Sequence, residues 1–445
     1  MKITMPPVQV ADDEGFIQEK DIFSRKNFGE RLANLIVKSN EGLVLALDAE
    51  WGEGKSTFVK MWKGYIGYQH KPKMRSIYFD AFQNDYQKDP FLALVGELYG
   101  LLKDKSGDKE KEFKRTVAKV GKSLFRGAIK IGVSTATGGL LSGSVVDSAG
   151  KEISKLLADE VDYVIADRLQ STAEDKDALK EFRGFLEGFA KEHGGGHPIV
   201  FIIDELDRCR PDFALELIEQ IKHLFSVPGI TFLLVLNRKQ LEASVSSRYG
   251  SNVVATTYLQ KFVNLWIALP RKFDYYDDHG ANYVQYVLDY MLDNGEENNN
   301  KEAVAVLKEL VIGLKPSFRE IERILSCYAL VINMLGGTQT LSIYQFLIPF
   351  VCYLKVLQPS LFNNVANNEI AFSRLCDESG LNKIIDNSDY QNIKDLLQYI
   401  KFDLADQNKR QSMVAKNEIY IGNQPIRQRL VMADVCEWLN ELKME

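Results

Sequence analysis

The stretch Leu43-Val44-Leu45-Ala46-Leu47-Asp48-Ala49-Glu50-Trp51-Gly52-Glu53-Gly54-Lys55-Ser56-Thr57 opens as an unbroken apolar run of strand length and closes on glycines, a lysine and two hydroxyls. Phe58-Val59-Lys60-Met61-Trp62 follows and reads as the body of a helix. A strand that turns through glycine into a helix gathers backbone N–H groups and the positive end of a helix dipole at one point, the arrangement that receives phosphate. Gly52 and Gly54 let the backbone approach an anion with no side chain in the way. Within the loop Glu50–Thr57, counting Glu50, Trp51, Glu53 and Thr57 as its remaining walls, Lys55 is expected to reach the β- and γ-phosphates and Ser56 Oγ to hold Mg²⁺. The stretch therefore predicts binding of a nucleoside triphosphate. One position departs from the usual pattern: Ala49 stands where a glycine is common, which suits the turn if its φ is negative and otherwise costs roughly 1–2 kcal/mol.

Such a site needs a second strand that ends in acids. Pro198-Ile199-Val200-Phe201-Ile202-Ile203-Asp204-Glu205-Leu206-Asp207-Arg208 supplies it, bounded on the other side by Gly194-Gly195-Gly196. A continuous apolar run of this kind is a strand buried on both faces of a parallel sheet, and ligands bind at the carboxyl ends of such strands. Asp204 is expected to contact Mg²⁺ through water, and Glu205 to orient or deprotonate the attacking water. A third apolar run, Ile230–Leu236, ends at Asn237, which would lie on the same edge and hydrogen-bond that water or a γ-phosphate oxygen. Arg75–Asp80 reads as another strand, and the helical spacing over Phe213–Leu224 supplies a crossover. The fold class is α/β, a parallel sheet with helices on both faces.

On these residues the chain resembles the KAP family of P-loop NTPases, relatives of the AAA+ and STAND ATPases, over roughly residues 20–360. The likeness rests on Trp51-Gly52-Glu53-Gly54-Lys55-Ser56, Phe79-Asp80-Ala81-Phe82 and, most specifically, Asp204-Glu205-Leu206-Asp207-Arg208. The resemblance implies further roles. In Tyr258-Leu259-Gln260-Lys261-Phe262, Lys261 stands where related ATPases place a basic finger directed at a neighbouring subunit's γ-phosphate. In Pro316-Ser317-Phe318-Arg319-Glu320-Ile321-Glu322-Arg323-Ile324, Arg319 would sense the γ-phosphate from a helical lid, with Arg323 as the alternative; a solvated helix face explains the same spacing. Asp21–Arg25 resembles the segment that frames adenine in relatives, which makes Arg25 a candidate nucleotide contact. The resemblance also implies a bacterial conflict setting, such as anti-phage defence, and a separately encoded protein effector. No Asn-Lys-x-Asp guanine-reading motif occurs, which favours ATP as the nucleotide.

The 445 residues suffice for two or three domains with ample cores. A net charge of −6 makes the whole molecule a poor electrostatic match for nucleic acid. The five scattered cysteines, Cys209, Cys327, Cys352, Cys376 and Cys436, have no metal-ligand spacing and read as reduced thiols. With no apolar signal core near the start, the expected location is cytoplasmic, with peripheral contact at the inner membrane face left open.

The expected organisation is an NTPase core at 20–90 and 193–272, a helical insertion at 91–192, a lid at 273–340 and a C-terminal helical interaction domain at 341–445. The insertion carries two features. Residues 103–126 are rich in Lys and Arg and read either as a solvated helix face or as a basic surface for nucleic acid or anionic lipid. The Gly-rich apolar run 131–146 spans roughly 24 Å as a helix, short of a hydrocarbon core of roughly 30 Å. Three functions are open on this reading: an ATPase switch acting on a protein partner or through self-association, a membrane-associated ATPase scaffold, and a nucleic-acid-stimulated ATPase or clamp.

Overall fold

The computed structural model describes all residues except 40, 88, 103–108, 122–173, 273–277, 293–299, 337–340, 386–389, 417, 420–429 and 442–445. The four apolar runs are strands, joined by one more: β1 (Val44–Asp48), β2 (Ser76–Asp80), β3 (Ile199–Asp204), β4 (Ile230–Leu236) and β5 (Leu265–Ala268). They form one parallel sheet in the order β2-β3-β4-β1-β5. Strand β4 thus lies between the loop strand β1 and the acid strand β3. The register sets Asp80 beside Asp204 and Asp48 beside Leu236, so the chemistry-bearing ends share one edge.

Alternation along the strands explains why both faces are covered. Val44, Ala46, Phe79, Phe201, Ile203, Phe232 and Leu234 face one apolar cluster, whereas Leu45, Leu47, Val200, Ile202, Leu233 and Val235 face another. The second cluster is completed by Leu32, Ala33 and Ile36 of the helix Lys26–Val37 and by Phe58, Val59 and Trp62 of the helix Lys55–Gly64. The first is completed in part by residues of the expected insertion. Phe91, Leu94 and Leu98 of the helix Pro90–Leu102, Phe113 and Val120 of 109–121, and Phe182, Leu186 and Phe189 of 174–193 all pack with the sheet. The boundaries expected at 91 and 192 therefore cut through the core, and these helices cover one face of the sheet. The Gly-rich run 131–146 lies outside the described residues, as do 103–108 and 122–126 of the basic segment.

In the described part of that segment, Arg115 and Lys119 both pair with Glu181, Lys114 with Glu110, and Lys109 with Glu192. In this described part these four cations are therefore balanced, by Glu110 of their own helix and by Glu181 and Glu192 of 174–193. Among the described residues no helix is long and apolar enough to cross a membrane.

Beyond the sheet the chain is helical. A single apolar cluster runs from Tyr283 through Leu310, Tyr328 and Phe350 to Leu439, so the boundary expected at 340/341 does not separate two cores. Its centre is the helix Ser342–Leu357, nearly all of it buried, with Pro349 inside. The helix Phe318–Met334 packs on it and begins with a capping box in which Ser317 and Glu320 satisfy each other's first-turn N–H groups. That N-terminus is the part of the C-terminal body that meets the loop after β1.

Candidate functional site

The loop after β1 is built as its glycines predict. Gly52 and Gly54 have φ of 83° and 76°, which L side chains rarely adopt, and Gly54 is the residue from which the helix Lys55–Gly64 starts. Ala49 is not among the residues with positive φ, so alanine is accommodated there without left-handed strain. The first turn of that helix has no side-chain cap, which leaves its N–H groups for a ligand at the cavity wall formed by Gly54, Lys55, Ser56 and Thr57. Lys55 Nζ donates to the carbonyls of Ala49 at 2.7 Å and Glu50 at 3.1 Å. Burial pushes its pKa down, opposed by the carboxylates of Asp207, Asp204 and Asp48.

The acid strand delivers its groups to the same place. Asp204 is 1% exposed and accepts from Tyr78 Oη at 2.8 Å and from the Glu205 amide at 2.9 Å. Ser56 also hydrogen-bonds its carboxylate, so the hydroxyl and the acid expected to flank a divalent cation are already adjacent. Burial raises the pKa of Asp204, and the hydrogen bonds from Tyr78 and Ser56 act against that rise. Glu205 follows with φ 60° and ψ 26°, a left-handed conformation that is costly for a residue with a side chain and is typical of constrained functional positions. Its pKa is raised, first by burial, against the lowering effect of Arg208.

These groups line one cavity of about 460 Å³, whose walls include Lys55, Ser56, Asp204, Glu205, Arg208 and Arg319. Arg319 arrives from the helix Phe318–Met334. A Cβ on Gly52 would lie 2.8 Å from Arg319 Cβ and 3.2 Å from its backbone N, so the loop and the lid helix touch. Gly52→Ala is accordingly expected to weaken ADP binding about 10-fold, from left-handed strain and displacement of the lid together, as titration calorimetry would read. Unchanged affinity would show that the loop tolerates a side chain at this contact.

Several other expected site residues are held by partners within the protein, although Arg25 and Trp51, with Phe23, line the same cavity. Arg25 is 4% exposed, and its guanidinium donates to the carbonyls of Glu53 at 3.0 Å and of Pro270 at 3.1 and 3.2 Å. It ties the loop to the chain beyond β5, and burial lowers its pKa to about 10. Phe23, in the segment expected to frame adenine, stacks on Phe318 at 4.2 Å and on His279 at 5.1 Å, so the lid occupies its ring faces. Asn237 sits at the end of β4 as expected, but its Nδ2 donates to Glu50 at 2.9 Å and its Oδ1 caps Lys239 N at 3.0 Å. Glu50 also pairs with Lys239 at 2.7 Å. Lys261 is exposed, lies 5.8 Å from the Tyr258 ring, and, like Asn237 and Arg323, is not part of the cavity wall. Trp51 is 44% exposed and donates its indole N–H to Asp207, which joins loop to acid strand.

The residue that sequence reading missed is Arg271. It pairs with Glu53 in a bridge whose side chains are each 10% exposed, donates to the Pro316 carbonyl at 2.7 Å, and lies 4.6 Å from the Phe318 ring. It is therefore the bolt between the loop and the lid. Arg271→Ala would strand the Glu53 carboxylate in a buried place and is expected to cost about 3–5 kcal/mol, lowering the melting temperature. The double change Arg271→Met with Glu53→Leu should cost far less, and equal losses for the two variants would refute the buried pair as the cause.

The sequence pattern of the KAP family P-loop domain matches residues 25–332, more than half of the chain. The chain belongs to the KAP family of P-loop NTPases. The match spans the loop, all five strands and nearly all of the arginine-bearing helix Phe318–Met334. No curated protein matches the chain. Among solved structures, this KAP protein is similar in outline to the Aeropyrum pernix ORC2 protein in its ADPNP–ADP complexes, at 10% identity and a TM-score of 0.37, covering 98% of this chain and 97% of that one. It is also similar to Cdc6p from Pyrobaculum aerophilum, at 11% identity and a TM-score of 0.40, with the same coverage.

Proposed function

We propose that this KAP NTPase binds ATP with Mg²⁺, hydrolyses it, and uses the presence or absence of the γ-phosphate to set the contact between core and lid. The observation that carries this reading is the convergence of Lys55 and Ser56 from the loop, Asp204 at the end of β3 with Glu205 just after it, and Arg319 from the lid on one cavity. The Ser56 hydroxyl beside the buried Asp204 carboxylate fits a hard divalent cation, which would neutralise phosphate charge there.

In the reaction, the N–H groups at the start of the helix Lys55–Gly64 and the Lys55 ammonium hold the phosphates in place. Glu205 takes a proton from a water whose oxygen bonds to the γ-phosphorus. The bond from that phosphorus to the bridging oxygen breaks, and ADP and inorganic phosphate leave. Little covalent help is needed, because positioning and charge neutralisation dominate phosphoryl transfer. Arg319 reaches the γ-phosphate only when the lid is docked, so nucleotide state and lid position become linked equilibria. Phosphate release from ATP by the purified protein, with Glu205→Gln as control, tests the reading; wild-type protein that binds ATP and releases no phosphate would reduce it to a nucleotide-binding switch.

By family likeness the switch is assigned to bacterial conflict, anti-phage defence in particular, with a partner effector as its output. Recovery of a specific protein bound in the ATP state and not in the ADP state tests that assignment, and a protein that recovers none in either state argues against it. The other two roles, lipid-bound scaffold and nucleic-acid-stimulated enzyme, have the basic segment 103–126 as their support, and the pairing of Arg115 and Lys119 with Glu181 weakens it.

A further inference from the structure

The guanidinium of Arg208 is a charged group in the cavity wall to which the reaction above gives no task. Its Nη1 lies 2.9 Å from Glu205 Oε1, and about a third of its side chain is exposed. The proximity is built into the backbone. Glu205 is left-handed, the short turn Leu206–Arg208 follows, and the Arg208 amide donates to the Glu205 carbonyl at 3.1 Å. Leu206, fully buried, anchors the backbone of that turn in the core, while the Arg208 side chain, about a third exposed, keeps room to turn.

Arg208 is therefore paired with the group that must accept the proton from water. The surroundings give this pair a reason to exist. Asp80, Asp204, Glu205 and Asp207 crowd the carboxyl ends of β2 and β3, and Lys55 and Arg208 in the cavity wall both act on this acidic group. A guanidinium on a carboxylate is a strong, geometrically defined contact, but phosphate is a better match because it offers more oxygens and more charge. Arg210, two residues on, has no such freedom: its side chain and amide hold Asp85 at 2.8 and 2.9 Å.

We propose that Arg208 is a positioning residue that senses the γ-phosphate from within the core. It holds Glu205 when the terminal phosphate is absent and moves its guanidinium to a γ-phosphate oxygen when ATP is bound, which frees Glu205 for water. This inference rests on the ATPase reading above, and it differs from the role of Arg319 in needing no lid closure. ADP has no γ-phosphate, so the Arg208–Glu205 pair persists with ADP, and ATP and ADP are told apart before the lid moves.

The test is calorimetric titration of wild type, Arg208→Ala, Arg208→Lys and Glu205→Gln with Mg²⁺–ADP and with a slowly hydrolysed Mg²⁺–ATP analogue. Arg208→Ala should lower affinity for the triphosphate about 10-fold relative to ADP, the value of one charge-assisted contact, and leave ADP affinity within about two-fold. Arg208→Lys should recover part of the difference. Glu205→Gln should raise the preference for triphosphate, and raise it less when Arg208 is already alanine, because the two residues are coupled. Equal losses for both nucleotides, or no loss for either, would overturn the proposal. The ADP titration serves as the folding control. Wild type that shows this nucleotide pattern but releases no phosphate would sink hydrolysis and leave Arg208 as the discriminator; wild type that binds neither nucleotide sinks both.

Discussion

Lys55→Ala is expected to abolish measurable nucleotide binding, with an affinity loss of about 100-fold or more. Two effects act in the same direction. The first is loss of the ammonium that reaches the phosphates, a charge-assisted bond worth about 1.5–3 kcal/mol in a partly buried site. The second is the charge left behind: Asp48, Asp204 and Asp207 all act on Lys55, and without it they face a triphosphate with less compensation. Stability should change little, because the bonds that Lys55 donates reach carbonyls of a half-exposed loop. Fluorescent-nucleotide titration beside a thermal melt separates the two. A dissociation constant within about three-fold of wild type would mean that the phosphates bind elsewhere.

Glu205→Gln is expected to keep binding and slow turnover by about 10²–10⁴-fold, the usual share of a general base. Glutamine preserves the shape of the side chain and can still meet Arg208, and the left-handed backbone is imposed by the turn that follows rather than by the carboxylate. What is lost is the ability to take a proton. Single-turnover phosphate release, at nucleotide concentrations that saturate both proteins, isolates that step. Turnover at the wild-type rate would place the base on another residue.

The inner strands were legible because they are apolar on both faces and stop at polar residues: Ile199–Asp204 ends in an acid and Ile230–Leu236 runs into Asn237, whereas the partly exposed Leu265–Ala268 was not read as a strand. The loop was legible for a different reason: Gly52, Gly54, Lys55 and Ser56 each answer one requirement of a phosphate. Arg271 was not legible, since its partner Glu53 lies 218 residues away and Pro316 a further 45 in the other direction, and nothing local marks an arginine as a bolt. The part played by Asn237 was half legible. Its place at the end of β4 follows from the pattern, whereas its capture by Glu50 depends on a side chain in another loop. Where the expected insertion packs was not legible: Phe91, Leu94 and Leu98 bury against the sheet, and nothing in their local sequence names that partner.

The strand order has a consequence for how the chain is made. Among the strands that pair in the sheet, only β3 and β4 are near each other in sequence, joined through the helix Pro211–Gln220, and this unit can assemble as soon as it is synthesised. Strand β1 must wait for β4, its partner on one side, and for β5 on the other; β2 must wait for β3 across the whole insertion. A ribosome-bound chain therefore carries the phosphate loop from an early stage without a frame to hold it. The core half of the site is framed only after Ala268 has emerged, and Arg319 joins it later still, so a nascent chain arrested before Ala268 should be unable to retain nucleotide.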